Sequence, residues 1–279
     1  MVRKLLKYDL KALLRIWIIL SITALGLSVV AGFGFRIIMG TVNSPQDAII
    51  TLFAFCAVYI SILGLAAYNI VMMILQLVRY YQHFYTDQGY LTFTLPVKRS
   101  ELFLSKMLTA VIYNFASFLV TLISIIIVMA IAPANVYGEG VMLVEAFKMI
   151  GNALEIIFTS GLSGAIFILA LIAALIHGIA FSPMVIYTAV TIGCVLVKKL
   201  KVLASLGIYY ASTIIMSIIT SILTWGANMI LVNMGGLSSA YDTYAVLLMV
   251  IIVMMMLTVG TVLLYRFNLS RIEKNLNLA

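Results

Sequence analysis

The chain has 279 residues, of which 65% are hydrophobic and 9% charged, with a mean hydropathy of +1.21. A water-soluble domain carries roughly 25% charged residues, so a soluble globular fold is excluded and length counts membrane spans here. The net charge of +8 would suit nucleic acid if it covered a surface. Instead the cations sit in short clusters between long apolar runs, so no nucleic-acid partner is expected.

The N-terminal segment is basic and amphipathic. Over residues 2–17, Val2, Leu5, Leu6, Leu10, Leu13, Leu14 and Trp17 fall on one helical face, and Arg3, Lys4, Lys7, Lys11 and Arg15 on the other. That spacing predicts an interfacial helix over 1–15, suited to an anionic membrane leaflet. Asp9 is the exception, because 100° per residue puts it on the apolar face. It reads either as one half of a local ion pair with a neighbouring lysine or as a contact to another cytoplasmic element. The apolar stretch from Ile16 is too long and bulky for a signal-peptide core, so it reads as a retained first span.

A hydrocarbon core about 30 Å thick needs roughly 20 helical residues. Six stretches qualify: about 16–39, 49–76, 107–131, 157–197, 202–232 and 244–265. The expected fold is therefore an all-α integral membrane protein with a single transmembrane domain over 1–279. Between spans three and four, Glu145, Lys148, Asn152 and Glu155 form one narrow polar stripe on an otherwise apolar segment. This predicts an external amphipathic helix over 141–158, resting on the outer leaflet or on other spans. The fourth stretch is about twice the required length and contains Pro183, so a kink or two helical pieces is expected there. Cys56 and Cys194 lie in apolar runs and read as buried thiols, neither a disulfide nor a metal site.

Charge placement sets the orientation. Segments 1–15, 76–106, 198–201 and 266–274 hold 5, 4, 3 and 3 Lys and Arg residues, which is 15 of the chain's 17. All four fall on the same side of the membrane, at every second connection. The opposite loops carry Asp47, Glu139, Glu145, Glu155 and Asp242 against Lys148, with Arg36 near the end of span one. The positive-inside rule then places both termini in the cytoplasm, with the chain in the cell membrane.

The longest cytoplasmic connection, 77–106, is not a simple spacer. Thr86 and Asp87 can cap a helix, 88–95 alternates polar residues with Tyr90, Leu91, Phe93 and Leu95, and Pro96 ends it. A short helix with exposed aromatic side chains, braced between two spans, suits a docking surface.

Residues Asp87-Gln88-Gly89-Tyr90-Leu91-Thr92-Phe93-Thr94-Leu95-Pro96-Val97-Lys98-Arg99-Ser100-Glu101-Leu102, followed by Ser105-Lys106, resemble the coupling region of ABC-2 type ABC transporter permeases. In that family an acidic-Gly-x-Leu stretch leads into Leu-Pro-Val, a basic residue and a Leu-rich helix ending in Lys. The Gly-Tyr-Leu-Thr-Phe-Thr-Leu-Pro variant resembles permeases of Gram-positive bacteria. Lys98 departs from the pattern, since relatives often carry a small capping residue there.

The resemblance implies the transmembrane subunit of an ATP-driven exporter in a bacterial cell membrane. Its coupling helix, about 87–95, would enter a cleft on a separate ABC ATPase subunit. Asp87, Gln88, Gly89, Tyr90, Leu91, Phe93, Leu95 and Pro96 would make that contact, and the N-terminal helix, through Asp9, Lys7 and Lys11, would brace the same subunit. Two ATPase copies would drive a homodimer or a heterodimer with a second permease, with ATP and magnesium on the partner and no cofactor on this chain. The cargo would be amphipathic or hydrophobic: a peptide, an antibiotic or a lipid-like compound.

Other chemistry is sparse. No G-x-x-x-x-G-K-[ST] loop is present, so a motor would have to be another chain. The spans hold no Asp or Glu, which disfavours an ion-coupled carrier. Gly161-Leu162-Ser163-Gly164 with His177 matches an intramembrane serine-protease pattern, but on one helix 14 residues separate Ser163 from His177 by about 21 Å. His177 is then bonded to a neighbouring helix or faces a polar path. A membrane-embedded enzyme or a sensor is the alternative function, with no catalytic or metal constellation evident, and an ion-coupled carrier comes third. The substrate pathway is not marked, because Asn69, Gln76, Asn114 and Asn228 are scattered.

Overall fold

In hydrocarbon, a backbone can satisfy its N–H and C=O groups only internally, so long apolar runs must become helices. The computed structural model describes residues 2–41, 48–86, 88–89, 94, 97–133, 141–159, 162–197, 199–235 and 239–274. They form seven helices: α1 (Val2–Thr41), α2 (Ala48–Tyr85), α3 (Arg99–Ile131), α4 (Met142–Thr159), α5 (Leu162–Leu196), α6 (Lys201–Gly235) and α7 (Ser239–Lys274). Six of them, all but α4, are long and apolar enough to cross a bilayer, the build of a multi-pass membrane protein. Among the described residues the only β pairing is an isolated bridge between Pro133 and Val141.

The helices outrun the apolar stretches that predict them. α1 has 40 residues and α2 has 38, or about 60 Å each, twice the hydrocarbon thickness. The predicted interfacial segment and span one thus form one continuous helix. α2 continues nine residues past its expected end at 76, and α3 starts eight residues before its expected start at 107. The connection shrinks from 77–106 to 86–98. Hydropathy marks where lipid contact ends, whereas Arg79, Tyr80, Tyr81 and His83 keep α2 helical beyond that point. Aromatic pairs one turn apart support this extension: Tyr80 with Phe84 at 5.0 Å and Tyr81 with Tyr85 at 6.5 Å.

The overlong fourth stretch resolves at its start, not its middle. α4 ends at Thr159 and α5 begins at Leu162, while α5 stays helical through the buried Pro183. The span is therefore not two pieces. Proline is tolerated in a membrane helix where neighbours and local adjustment offset its missing N–H. α4 carries the predicted polar stripe, and it also leaves Val144, Phe147, Met149 and Phe158 exposed.

Two compact units group the chain. One comprises Lys7–Ile74 and Ile112–Ile156. In it the Trp17 indole N–H donates to Ser117 Oγ at 3.2 Å, Ser21 Oγ pairs with the Tyr68 hydroxyl at 3.3 Å, and the Tyr113 hydroxyl donates to the Leu10 carbonyl at 2.5 Å. Near the far end of α1, Phe35 and Ile38 pack with Ala54 and Val58. These bonds join α1 to α2 and α3 with side chains that apolar patterning alone would not single out.

The other unit comprises Met1–Leu6, Leu75–Val111 and Ile157–Ala279. Here α5 packs along both α6 and α7. The α5–α6 connection spans 197–200 and is pinned by Val197 N–H to the Gly193 carbonyl at 3.1 Å and Ala204 N–H to the Leu200 carbonyl at 3.0 Å. Leu200 closes it with φ 57°, a left-handed conformation that a branched residue adopts only at a cost. Gly193 is required by close approach, because a Cβ there would overlap Ser205 Oγ.

Candidate functional site

The second of these units gathers the C-terminal ends of α2, α5 and α7 with the N-terminal ends of α3 and α6. The 86–98 connection leaves and re-enters the bundle there, and both of its roots are tightly held. At the exit root, the Thr86 hydroxyl donates to the Gln82 carbonyl at 2.6 Å, satisfying an orphan acceptor in the last turn of α2. Gly89 N–H donates to the Thr86 carbonyl at 2.7 Å, folding the chain back on the helix end. Gly89 is buried there, and a Cβ on it would stand 3.1 Å from the carbonyl carbon and oxygen of Phe84. Since those atoms are backbone, no side-chain rotation could make room.

At the re-entry root, the Lys98 carbonyl accepts from Glu101 N–H at 2.9 Å and from Leu102 N–H at 3.2 Å. Lys98 thus holds the N-cap position of α3 without a side-chain acceptor to offer, and Glu101 supplies negative charge in the first turn instead. The Arg99 guanidinium reaches the Ile272 carbonyl near the end of α7 at 3.0 Å. One bond thereby ties the start of α3 to the last turn of α7.

Beneath the roots lies a buried aromatic and polar cluster. Tyr80 is 1% exposed and stacks on Tyr187 of α5 at 4.1 Å with 12° between ring planes. Phe103 of α3 meets both edge-on, at 6.3 Å from Tyr80 and 6.2 Å from Tyr187, and packs on Tyr265 of α7 at 5.5 Å. The Tyr187 hydroxyl donates to the Lys106 carbonyl at 3.0 Å.

Asn268 of α7, fully buried, knits this cluster together. Its Nδ2 donates to Thr188 Oγ1 at 2.8 Å and to the Leu264 carbonyl at 3.0 Å. Its Oδ1 lies 2.8 Å from Thr191 Oγ1, which also has the Tyr187 carbonyl at 2.9 Å. Thr191 has one proton for those two acceptors, and it accepts from the Tyr85 hydroxyl at 3.2 Å, with Tyr80 at 3.4 Å. A hydrogen-bonded chain therefore runs from the last residue of α2 through α5 to α7. Low local dielectric strengthens such a network and makes each member expensive to displace.

The predicted contact residues fall partly within this frame. Gln88 is exposed and Gly89 is buried against α2. Asp87, Tyr90, Leu91, Phe93, Leu95 and Pro96 lie outside the described residues. On α1, Asp9 is 9% exposed and shares the inward face with Leu13, whereas Lys7 and Lys11 are exposed. The three do not form one surface. Ser163 and His177 belong to the same uninterrupted helix α5, so about 21 Å of axis separates them.

Sequence reading missed Tyr80, Tyr187, Thr191 and Asn268. Asn268 sits among the basic residues after the sixth apolar stretch, where hydropathy gives no sign of burial. The available signal is Tyr80, Tyr81, Phe84 and Tyr85, four aromatics within six residues at the end of a span. Among the described residues no three His, Cys, Asp or Glu side chains gather as a metal site. Compared with known proteins, the chain matches no family model, no curated protein and no solved structure.

Proposed function

We propose that the chain is the membrane subunit of an ATP-driven exporter of the ABC-2 permease type, in which the 86–98 connection receives work from a separate ATPase. The observation that carries this reading is the anchoring of both loop roots. A connection meant only to join two spans needs no such base. Here its ends are fixed to α5 and α7 by Tyr85, Thr191, Asn268 and Arg99, so a push on the loop is delivered to those two helices as well as to α2 and α3.

The remaining assignments follow from the motif resemblance and the charge placement. The loop and both termini are cytoplasmic, on the side carrying most of the cations. Residues 87–95 make the coupling contact, with Tyr90 and Phe93 as its anchors. The exposed basic face of α1, with Lys7 and Lys11, braces the ATPase or the anionic leaflet. Two ATPases act on a pair of permeases, and the cargo is amphipathic or hydrophobic. ATP and magnesium are bound by the partner.

The test is co-purification of the full-length tagged chain from its native membranes, with partners identified by mass spectrometry. A soluble P-loop ATPase is expected to accompany the chain, and Tyr90→Ala with Phe93→Ala should release it while the chain elutes unchanged. Retention of the ATPase by that variant, or absence of any ATP-binding partner from the wild type, would overturn the proposal.

A further inference from the structure

α5, α6 and α7 line an open-sided apolar cavity of about 230 Å³. Phe181, Val185 and Ile192 of α5, Ile208 and Met216 of α6, and Leu263 of α7 form most of its wall. Only two lining residues carry a polar side chain, and neither has a proton left for an occupant. The Thr188 hydroxyl donates to the Met184 carbonyl at 2.7 Å and accepts from Asn268, and the Ser212 hydroxyl donates to the Tyr209 carbonyl at 2.8 Å. Both hydroxyl protons are committed, so the wall offers an occupant no side-chain donor and only hydroxyl lone pairs, which is too little for ordered water, since that needs two to four polar partners. An apolar cavity of ~150 Å³ takes a six-carbon benzene ring, so this one holds about nine carbons.

Two features of the same helices say where those carbons come from. Leu263 of the wall is 61% exposed, and Val259 one turn before it on α7 and Ile214, Ile215 and Ile218 of α6 are exposed as well. On a membrane-spanning bundle such residues face lipid tails, so the cavity opens toward hydrocarbon. Cations crown the same three helices. Lys199 stands in the α5–α6 connection, Lys201 opens α6, and the exposed Arg266 lies less than one turn beyond Leu264 on α7. Ile208 begins the cavity seven residues, about 10 Å, along α6 from Lys201. Basic groups at the headgroup level of an interhelical pocket select anionic lipids.

We infer that this cavity binds one acyl chain of an anionic phospholipid whose phosphate meets Lys201 and Arg266. The inference rests on the membrane-spanning bundle alone and holds whether or not an ATPase docks on the 86–98 connection. The chain in the cavity touches Thr188 and Leu264, the two groups to which Asn268 donates. Lipid occupancy therefore bears on the α5–α7 joint beneath the loop roots.

The test places the full-length chain in nanodiscs containing phosphatidylglycerol or phosphatidylcholine with a diazirine in the acyl chain, followed by photolysis and peptide mapping. Adducts from phosphatidylglycerol are expected at Phe181–Ile192 and Ile208–Met216, at least threefold above those from phosphatidylcholine. Ser212→Phe fills the cavity from its less buried wall without removing an interhelical bond, and should cut these adducts at least fivefold. Met216→Ala enlarges it and should raise them. Lys201→Gln with Arg266→Gln should erase the headgroup preference. Adducts insensitive to both cavity variants, or no denser than on exposed Phe53 of α2, would overturn the site. Equal labelling by the two lipids would overturn the phosphate contact. Adducts to a second copy of the chain at these residues would assign the face to a protein interface instead.

Discussion

Asn268→Leu removes the residue that joins α5 to α7. Leucine is close to asparagine in volume, so the change is felt through lost hydrogen bonds more than through a cavity. Three bonds go: one to the Leu264 carbonyl within α7, and two across to Thr188 and Thr191. Thr188 and Thr191 keep their own helix carbonyls, Met184 and Tyr187, as fallback acceptors, which limits the cost. Interhelical side-chain bonds in membranes average ~0.6 kcal/mol and reach ~1.7, so two of them give a loss of about 1–3 kcal/mol. The sharper quantity is the coupling between Asn268→Leu and Thr191→Val in a double-mutant cycle. It isolates the single 2.8 Å Thr191–Asn268 bond and should be about 0.6–1.7 kcal/mol. Reversible SDS-driven unfolding of the purified chain in mixed micelles measures all four corners of the cycle. A coupling within about 0.3 kcal/mol of zero would refute the network as a joint between the helices.

Other substitutions separate the contributions around this joint. Gly89→Val should shift the 86–98 connection off the end of α2 and destabilise it by about 1–3 kcal/mol, seen as faster proteolysis within the loop, because the new side chain meets Phe84 backbone. Tyr80→Phe keeps the 4.1 Å stack on Tyr187 and gives up only a 3.4 Å contact, so stability should change by less than about 0.5 kcal/mol, whereas Tyr80→Ala should cost about 3–5 kcal/mol in the same unfolding assay. Leu200→Asn should stabilise by about 0.5–1 kcal/mol, since asparagine tolerates the left-handed conformation at this exposed turn; an unchanged or lower thermal midpoint counts against the strain argument. Gly193→Val should separate α5 from α6 and lower the midpoint, with about 1–3 kcal/mol lost.

The spans were legible because hydropathy responds to the solvent that a helix crosses. Six apolar stretches predict six long helices, and the α4 stripe of Glu145, Lys148, Asn152 and Glu155 predicts the short one. The same signal misplaces helix ends. It stops α2 at 76 and starts α3 at 107, since residues such as Arg79 and Lys106 leave lipid without leaving the helix. Pro183 allows either a kink or a break, and α5 runs through it without a break, because packed neighbours and local adjustment in a membrane bundle offset the missing N–H. The base of the candidate site was the least legible part. Thr188 and Thr191 are ordinary polar residues one turn apart on α5, Asn268 lies 80 and 77 positions further along the sequence, and only packing brings it to them. Gly89 was noticed as part of a motif, but its need for a missing Cβ becomes visible only against the Phe84 carbonyl.

Photo-crosslinking from the exposed Thr94 position in intact native membranes tests the central claim most directly, with exposed Val141 on the α3–α4 connection as the control site. A photoreactive residue at 94 should capture a soluble P-loop ATPase, identified by its peptides, and one at 141 should not. Capture of only lipid or another copy of this chain from position 94, or capture of the ATPase from position 141, would contradict it.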